Sequence, residues 1–418
     1  MLALDPGCMR VTENKLYFGN TLAGDLTAQY GSPLFVYDEG VLRERCRELK
    51  SLLPEKDFRV NYSCKANSNI ALLKIVREEG LMVDAMSPGE IFLNMEAGYR
   101  PDEILFIPNN VSRAELQYAI DSGVMISVDS LAQLEYFGEL NPGGEVFVRI
   151  NPGIGDGHHQ KVITGGKAKF GVQPADVGKV HEIARRYRLT VIGINMHIGS
   201  FFLEPDNYIA AIKQLLEIAE GFSELRCIDF GGGIGIPYRK GVQQRFDMSA
   251  FSTALKATLD EWEARTGRTG ITYLIEPGRY PVAECCTLLA TVHAVKENYG
   301  TTYIGTDLGF NVLMRPMLYD AYHEVIVCDN VESNTTHPVS ICGNICETGD
   351  LICENRPLPP IVMDNTLAVL DAGAYGFSMS SNYNARPRPA EVLVQTDHTV
   401  RVIREREDLC YLLLNQKY

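Results

Sequence analysis

The sequence predicts an α/β protein with a (β/α)8 TIM-like barrel over residues 31–278. A β-rich domain, a β-barrel or sandwich, is predicted over residues 279–418 together with residues 1–30. Three observations support this fold class. Short apolar runs alternate with amphipathic segments up to about residue 276, most of the runs end in a polar residue, and β-like runs with little helical periodicity follow residue 279. Alternating strands and helices are typical of a parallel barrel, and closely spaced strands of an all-β domain.

Eight apolar runs are candidate barrel strands. They are residues 58–65, 81–85, 104–109, 125–129, 145–151, 189–197, 225–230 and 271–276. Between them lie segments with helical periodicity, which we assign to the crossovers of the barrel: residues 68–79, 113–122, 174–187, 206–222 and 248–266.

Alternation within the strands predicts which side chains face the barrel axis. In residues 189–197 one face carries apolar side chains, and the other carries a small residue followed by two polar ones. We expect the apolar face to meet the helices and the other face to line the axis. The two faces are Ile192, Ile194 and Met196, and Gly193, Asn195 and His197.

Polar residues end the predicted strands, at the edge where a barrel enzyme builds its site. They are Lys65, Asp84, Asn109, Asp129, Asn151, His197, Asp229 and Glu276. We interpret Asn109, Asp129 and Asn151 as ordinary helix caps or loop residues. Lys65, His197 and Glu276 are predicted to take part in chemistry.

Composition excludes several classes of protein. The net charge of −14 argues against non-specific binding to nucleic acid. No run of about 18 apolar residues occurs, so no membrane span is predicted, and the first residues lack the features of a signal peptide. The eleven cysteines are scattered without a CxxC pair, which argues against a zinc ribbon and favours the reducing cytoplasm.

Lys65 follows the first barrel strand in the sequence Tyr-Ser-Cys-Lys-Ala-Asn. Most lysines are solvated surface charges, but this one is flanked by small residues at the predicted mouth of the barrel. A lysine held there can lose its proton and react with an aldehyde cofactor. We therefore predict that Lys65 carries such a cofactor.

A glycine-rich run, residues 231–235, follows the seventh strand. Glycine lets the backbone approach an anion and present several N–H donors, and the loops after strands seven and eight of a barrel commonly bind phosphate. The run lacks the Gly-Lys-Ser/Thr ending of a Walker A loop. It is predicted to bind a phosphate group, to which the Ser200 hydroxyl can donate a hydrogen bond.

Glu276 ends the eighth strand, in Glu-Pro-Gly-Arg-Tyr. A carboxylate that faces a pyridine nitrogen raises the pKa of that nitrogen, and the protonated ring is an electron sink. The alternative is an ordinary salt bridge between Glu276 and Arg279. His197 is predicted to stack on a planar ring, although a lone histidine is more often structural.

Seven segments occur in order along the chain: YSCKAN, HIGS, DFGGGIG, EPGRY, RPMLYDAYHE, CETGD and GAYGFSMSSNYNARPRPAEVL. The match to which they belong runs from about residue 30 to the end. Each is weakly specific alone, but the ordered set is highly specific. Together they resemble the fold-type III decarboxylases that use pyridoxal 5′-phosphate (PLP), and most closely the diaminopimelate decarboxylase family.

The resemblance implies PLP as the cofactor and a role for each matching residue. Lys65 would carry the cofactor, His197 would stack on its ring, and Glu276 would pair with its pyridine nitrogen. Asp84 matches an acidic position near the lysine, and Tyr375 a tyrosine that reaches phosphate and substrate. The phosphate cup matches Ser200, Gly232, Gly233, Gly235, Gly278 and Arg279.

The resemblance also implies that meso-2,6-diaminopimelate is decarboxylated to L-lysine in lysine biosynthesis. Cys346 matches the catalytic cysteine, and the carboxylate of Glu347 suits a distal ammonium group. In the family these two residues come from the neighbouring subunit, which implies a homodimer in which the β-rich domain completes the site and forms the dimer interface. Two arginines suit two carboxylates, and the substrate contacts map to Arg279, Arg315, Tyr319, Glu347 and Tyr375.

Departures from the family pattern leave the substrate open. Phe201 follows HIGS where the family often has Gln or Gly, Asn344 stands in Gly-Asn-Ile-Cys-Glu-Thr, and Leu308 in Asp-Leu-Gly-Phe-Asn. A decarboxylase of ornithine, arginine or carboxynorspermidine is therefore an alternative. A racemase and a non-catalytic PLP-binding protein are two more.

Two of these alternatives are disfavoured by residues already named. A racemase is expected to place an arginine opposite the pyridine nitrogen, where this chain has Glu276. A non-catalytic relative is expected to lose Lys65 or Cys346. No metal site is predicted, because His158 and His159, in a segment that resembles the family's mobile loop, have no set of ligands nearby.

Overall fold

The structure is a computed structural model, and it describes residues 7–157 and 159–417. Its strands are β1 (Met9–Thr12), β2 (Lys15–Phe18), β3 (Thr21–Leu22), β4 (Leu34–Asp38), β5 (Phe58–Ser63), β6 (Met82–Ala85), β7 (Ile104–Phe106), β8 (Met125–Val128), β9 (Glu145–Arg149), β10 (Asp156–Gly157), β11 (Thr190–Asn195), β12 (Gly199–Ser200), β13 (Cys227–Asp229), β14 (Thr272–Ile275), β15 (Cys286–Asn298), β16 (Thr301–Thr306), β17 (Val325–Val327), β18 (His337–Cys342), β19 (Leu351–Leu358), β20 (Thr366–Val369), β21 (Ala390–Val394) and β22 (Val400–Arg404).

Five barrel helices overlap the predicted crossover segments, and two more, Pro88–Glu96 and Leu131–Leu140, were not named from the sequence. The helix starts agree with capping chemistry. Asn69, Ser87, Ser112, Ser130 and Asp247 each accept a backbone N–H of the first helical turn, which satisfies donors that the helix itself leaves without a partner. The helices are α1 (Ala23–Tyr30), α2 (Glu39–Lys50), α3 (Ile70–Glu78), α4 (Pro88–Glu96), α5 (Arg113–Asp121), α6 (Leu131–Leu140), α7 (Val177–Tyr187), α8 (Asp206–Ala219), α9 (Met248–Thr266), α10 (Arg279–Val282) and α11 (Arg315–Tyr319).

Eight parallel strands close into a barrel in the order β11-β13-β14-β5-β6-β7-β8-β9. All eight strands lie within the runs proposed from the sequence, so the predicted barrel is confirmed. The inward side chains form an apolar plug that contains Leu105, Ile107, Phe147 and Leu274. Beyond this plug, towards the carboxyl ends of the strands, the inward positions are polar.

The predicted alternation holds for most of β11 and fails at one residue. The Asn195 side chain accepts a hydrogen bond from Ser127 Oγ at 2.7 Å inside the barrel, as its position predicts. Ile192, which was expected to face the helices, packs instead against the apolar plug. The register of β11 against β9 shifts between Val191 and Gly193, and such a bulge turns a side chain to the other face.

A β-rich unit contains the remaining strands. A nine-stranded sheet runs in the order β19-β18-β16-β15-β4-β21-β22, and β20 pairs with both β15 and β17. Its buried core includes Leu34, Val36, Leu289, Ala368 and Val392. The predicted β-rich domain is thus confirmed, with β19 as a strand that the sequence patterns did not reveal.

The two compact units divide the chain differently from the boundaries drawn on the sequence. Within the described residues, the β-rich unit comprises the chain up to Glu44, Pro237–Gln244 and the chain from Pro281, and the barrel unit comprises Arg45–Ile236 and Arg245–Tyr280. Strand β4 explains the first difference, because it pairs with β15 and β21 rather than with a barrel strand. Pattern analysis of β4 alone does not reveal its partners.

Candidate active site

Lys65 sits in a single 3-10 turn, Cys64–Ala66, at the carboxyl end of β5. The turn is fixed on both sides, since Ser63 N–H donates to the Pro277 carbonyl at 3.2 Å and the Tyr62 hydroxyl to the Asn67 carbonyl at 2.9 Å. These two hydrogen bonds fix the backbone on either side of Lys65 at the barrel mouth. The Lys65 charge acts on Asp84, His197 and Glu276, so the structure brings together four residues that the sequence predicted for the site.

Two carboxyl groups flank this lysine. Asp84 is fully buried and accepts a hydrogen bond from the Ser63 hydroxyl. Burial raises the pKa of Asp84 well above its usual range, the negative Glu276 adds to the shift, and the Lys65 ammonium opposes it. Glu276, 6% exposed at the end of β14, has its pKa raised by burial and by Asp229, with Lys65 and Arg149 opposing.

Glu276 and Asp229 form a hydrogen-bonded pair of carboxyl groups. Burial raises the pKa of Asp229 to about 7, while the Gly231 N–H, Glu276 and Arg149 oppose the rise. Two adjacent buried carboxyl groups cannot both ionise readily, so the pair shares a proton. Among the described residues, Glu276 Oε1 and Asp229 Oδ2 receive no protein N–H or O–H donor.

Arg149 supplies positive charge beneath the carboxyl pair. Its guanidinium donates to Asp129 Oδ1 at 3.3 Å, and both side chains are less than 10% exposed. Asp129 also accepts the Gly171 N–H at 3.2 Å and an Asn109 amide hydrogen. Asn109 and Asp129, interpreted from the sequence as ordinary caps or loop residues, therefore belong to the buried charge network of the barrel.

His197 is held as a neutral ring beside Lys65. Its pKa is lowered well below the usual value by the loss of water around it, and further by the charges of Lys65 and Arg149. Gly232 N–H donates to His197 Nδ1 at 3.1 Å. An acceptor at Nδ1 places the proton of the neutral imidazole on Nε2.

The glycine-rich run packs against the backbone of its neighbours. A Cβ added to Gly232 would lie 1.8 Å from the Glu276 carbonyl oxygen, so only glycine fits there. Tyr208, in helix α8, donates a hydrogen bond from its hydroxyl to the Gly231 carbonyl oxygen at 2.6 Å. These contacts fix the loop at the carboxyl ends of β13 and β14.

Two of the four glycines assigned to the phosphate cup use their N–H groups within the protein. Gly232 N–H donates to His197, and Gly235 N–H donates to the Phe202 carbonyl at 2.9 Å. Their predicted role is therefore to shape the loop and to let it approach an anion. The sequence pattern did not distinguish this role from direct donation, because loop geometry decides where each N–H points.

Ser200 and Arg279 meet beside this loop. An Arg279 guanidinium N–H donates to Ser200 Oγ at 3.1 Å, and the guanidinium carbon lies 5.7 Å from the centre of the Phe201 ring, within cation–π range. Phe201 adopts a left-handed backbone with φ +73°, and its N–H donates to the Gly233 carbonyl at 2.7 Å. The departure at Phe201 thus places an aromatic ring beside a predicted anion-binding arginine.

The residues of the barrel fit a PLP group. The buried Glu276 Oε1 without a protein donor suits a protonated pyridine nitrogen, and Lys65 is the amine next to it. The glycine loop, Ser200 and Arg279 form a cradle with hydroxyl and guanidinium groups for a phosphate.

In the β-rich unit, Arg315 is 2% exposed and is held from two sides. Its Nη1 lies 2.6 Å from His323 Nε2, while His323 Nδ1 lies 2.8 Å from the Leu370 carbonyl oxygen. The Tyr238 ring lies under the guanidinium at 4.3 Å. Since a carbonyl oxygen can only accept, His323 donates from Nδ1 and accepts the arginine at Nε2, and this fixes the direction of the Arg315 fork.

The other predicted substrate residues of this unit are more open. Tyr319 is partly exposed at the end of α11 and Tyr375 is partly exposed with a left-handed backbone, φ +57°. Cys346 and Glu347 are exposed on the loop between β18 and β19. Left-handed backbone in a tyrosine stores strain and is found preferentially at functional sites.

Several residues of the site were not found from the sequence. Arg149 lies on the inward face of a predicted strand, and that parity was the signal that could have found it. His323 lies in the quoted segment RPMLYDAYHE but was assigned no role, and Tyr208 gave no sequence signal, because only the fold brings it to Gly231. His158 lies outside the described residues, and within residues 7–157 and 159–417 no group of His, Cys, Asp and Glu side chains has a metal-binding arrangement.

Comparison with known proteins agrees with this geometry. The family model for the pyridoxal binding domain of pyridoxal-dependent decarboxylases matches residues 39–283. The diaminopimelate decarboxylase of Methanothermobacter thermautotrophicus is 42% identical over 96% of this chain and 95% of its own. The enzyme of that name from Escherichia coli K12 is 34% identical over 93% and 94%.

A solved structure is similar over the full length. Diaminopimelate decarboxylase from M. jannaschii, in complex with L-lysine, superposes with a TM-score of 0.90 and 31% identity, and the match covers 100% of this chain and 99% of that one. The fold and the site are those of a PLP-dependent decarboxylase. Within that class, the chain belongs to the diaminopimelate decarboxylase family.

In the described parts of the chain, every helix is too short or too polar to cross a bilayer.

Proposed function

We propose that this protein decarboxylates meso-2,6-diaminopimelate to L-lysine and CO2 with PLP as its cofactor. One observation carries the proposal: a lysine, a neutral histidine and a buried carboxyl pair converge at the carboxyl ends of the barrel strands, next to a cradle that contains Ser200 and Arg279. The relatives that match this chain along nearly their whole length are named for the same reaction.

Bound PLP supplies an electron sink for the carbon that loses its carboxylate. We propose that Lys65 holds the aldehyde carbon of PLP and Glu276 its pyridine nitrogen. His197, as a neutral ring, lies against the cofactor without adding positive charge beside Lys65. The phosphate is assigned to Ser200, Gly232, Gly233, Gly235, Gly278, Arg279 and Tyr375.

The substrate is proposed to bind through its two ends. Arg279 and Arg315 bind carboxylate groups, and His323 keeps the Arg315 fork pointing in one direction. Tyr319 adds a hydroxyl, and the Glu347 carboxylate binds the distal ammonium. When both ends are fixed, the bond to the leaving carboxylate is held in one orientation. The binding energy of the two ends then lowers the activation free energy of decarboxylation.

Proton delivery completes the reaction. We propose that Cys346 Sγ donates a proton to the carbon that has lost CO2, and that Lys65 Nζ then takes up its original bond as the product leaves. Cys346 is exposed on its loop, so the group is accessible to a substrate. The alternative donor is a water molecule.

We further propose a homodimer in which Cys346 and Glu347 serve the site of the neighbouring subunit, as in the family that the chain belongs to. Sedimentation of the purified protein gives the oligomeric state. Mixing two inactive variants, Lys65→Met and Cys346→Ala, tests the shared site, because mixed dimers regain one intact site only if the two residues act across subunits. The proposed location is the cytoplasm, which agrees with eleven free cysteines.

A substrate panel tests the reaction itself. We expect kcat/KM for CO2 release from meso-diaminopimelate to exceed that for L-ornithine, L-arginine or carboxynorspermidine by at least about 100-fold. Each of the other three compounds lacks the second carboxylate and would leave one arginine of the site without its partner. Faster turnover of ornithine or arginine would refute the substrate, and interconversion of D and L isomers without CO2 would indicate a racemase.

The cofactor attachment has its own test. Borohydride reduction followed by peptide mapping is expected to find the pyridoxyl group on Lys65. An absorbance band near 420 nm is typical of PLP attached to a lysine side chain. Its absence from the purified protein would indicate that the protein does not use this cofactor.

A further inference from the structure

The loop that carries Cys346 and Glu347 is built around Asp350. This buried carboxylate accepts the Phe310 N–H at Oδ1 and the Ile345 N–H at Oδ2, each at 2.7 Å. Gly343, where a Cβ would lie 2.4 Å from the Gly309 Cα, lets the loop cross the neighbouring segment closely. These contacts fix the base of the loop, whereas the Cys346 and Glu347 side chains are exposed.

A second segment, residues 381–386, contacts the two exposed side chains. The Tyr383 hydroxyl donates to Glu347 Oε1 at 2.7 Å, and the Asn384 amide donates to Cys346 Sγ at 3.1 Å. Two adjacent residues of one turn thus touch the two adjacent residues to which substrate and proton contacts are assigned. Neither Tyr383 nor Asn384 is among the predicted site residues.

The turn adopts a strained backbone to make these contacts. Asn384 and the following Ala385 both have left-handed backbone angles, φ +57° and φ +54°. Consecutive left-handed residues other than glycine are disfavoured, and they persist only where the surroundings fix them.

Three contacts fix the turn. The Tyr383 ring stacks on Phe310 with centroids 5.6 Å apart and planes inclined by 26°. Ser381 N–H donates to the Asn311 carbonyl at 2.8 Å, and Arg386 donates to the Asn344 carbonyl at 2.9 Å. Because Phe310 and Asn344 also adjoin the Asp350 loop, the turn and the loop form one assembly within a single chain.

We propose that Tyr383 and Asn384 are positioning residues, Tyr383 fixing the Glu347 carboxylate for the distal ammonium of the substrate and Asn384 fixing the Cys346 sulfur for proton transfer. The proposal rests on the proposed function. It makes the turn a determinant of specificity for amino acids with a distal ammonium group.

Physical reasons support this assignment for Tyr383. An exposed glutamate samples several rotamers, and ordering it on binding costs conformational entropy. The phenol hydrogen bond uses one carboxylate oxygen and preserves the negative charge, and a carboxylate accepts through both oxygens. The same contact raises the pKa of the Tyr383 phenol, so the hydroxyl keeps its proton and remains a donor.

Tyr383→Phe tests the first contact, because it removes the hydroxyl and keeps the ring on Phe310. We expect KM for meso-diaminopimelate to rise about 10-fold and kcat to change less than about twofold, as for the loss of a hydrogen bond to a charged group. The inhibition constant of 2-aminopimelate, which lacks the distal ammonium, is expected to stay within about twofold. Equal weakening of both compounds, or no change in either, would overturn the proposal.

A double-mutant cycle with Glu347→Gln sharpens this result. If Tyr383 acts through Glu347, the double variant Tyr383→Phe/Glu347→Gln binds no more weakly than Glu347→Gln alone. Additive losses would show that Tyr383 acts independently, and the proposal would fail. If the wild-type protein prefers ornithine, the proposed substrate is wrong, and the same comparison is made with ornithine and norvaline, which lacks the distal ammonium.

The second contact is tested with Asn384→Gly and Asn384→Asp. Glycine and aspartate both tolerate the left-handed backbone, and both substitutions remove the amide donor. Effects that the two variants share therefore report the lost contact rather than backbone strain. We expect kcat to fall about fivefold with KM unchanged, together with partial loss of stereospecific deuterium incorporation when the reaction runs in D2O. Unchanged kcat and full stereospecificity in both variants would refute the role of Asn384.

Discussion

The barrel site and the Cys346–Glu347 loop achieve order in opposite ways. At the barrel mouth, Asp84, Glu276 and Arg149 are at most 7% exposed, and their charges compensate one another at close range. On the loop, Cys346 and Glu347 are exposed and are held by single hydrogen bonds from a strained turn.

The difference follows from what each region does. A group that tunes a cofactor acts through its field, which is strong only where water is excluded. The Cys346 and Glu347 side chains, to which the proton and the distal ammonium are assigned, stay accessible because they are ordered from one side only. We therefore expect changes in the barrel to abolish chemistry or stability, and changes at the loop to affect affinity and proton delivery more mildly.

The largest effect is expected for Lys65→Met. Loss of the cofactor amine should reduce kcat by more than about 1,000-fold, since nucleophilic attachment of the cofactor is lost. The rate of decarboxylation is measured as CO2 release, and the absorbance of the bound cofactor is recorded in parallel. Lys74→Met, at an exposed lysine of α3, is the control and should retain full activity.

Glu276→Gln should lower kcat by about 100-fold with a smaller change in KM, because a neutral amide does not keep the pyridine nitrogen protonated. Glu276→Asp keeps the charge and is the conservative control. Full activity of the glutamine variant would contradict the assignment of Glu276 to the ring nitrogen. Steady-state kinetics on the PLP-saturated proteins gives the answer.

Arg149→Met tests the buried network through stability. Removing one partner of a buried ion pair leaves uncompensated charge at Asp129, and we expect the free energy of unfolding to fall by about 3 kcal/mol in urea titrations. Arg226→Met is the matched control in the same barrel, because Arg226 pairs with Glu145 and both are more than half exposed. That pair should contribute less than about 1 kcal/mol.

A smaller effect is expected from the pH dependence of the carboxyl pair in the cofactor-free protein. The folded state keeps the proton of Asp229 up to about pH 7, whereas the unfolded chain releases it near pH 4. The folded state therefore binds more protons in this window, and the contribution of Asp229 to the free energy of unfolding falls as pH rises from about 4 to about 7.

Asp229→Asn should reduce this slope by the contribution of Asp229, while Asp84 and Glu276, whose pKa values are also raised by burial, keep theirs. Urea titrations at several pH values, after removal of PLP with hydroxylamine, measure this slope. A wild-type slope that survives unchanged in the asparagine variant would show that other groups cause it. At the loop, Tyr383→Phe is expected to leave the free energy of unfolding nearly unchanged, because Tyr383 is 44% exposed and exposed polar contacts contribute little.

Much of the barrel could be predicted from the sequence, because its signals are local. Strand length, alternation and the polar residue at each strand end are written in consecutive residues, and all eight barrel strands lie within the runs that these signals mark. The errors also have physical causes. A bulge in β11 turned Ile192 inward, and β4 joined the β-rich sheet by pairing with β15 and β21, which lie far away along the chain.

By itself the sequence determined the fold class, the chemical types at the barrel mouth and, through resemblance, the cofactor. Only the tertiary structure decided that Gly232 donates its N–H to His197, that Asp229 shares a proton with Glu276, and that Tyr383 and Asn384 touch Glu347 and Cys346. The physical reason is that a hydrogen bond or a shifted pKa depends on distance, direction and exclusion of water between residues far apart in the chain. Residue patterns encode periodicity, whereas these contacts exist only after the elements have packed.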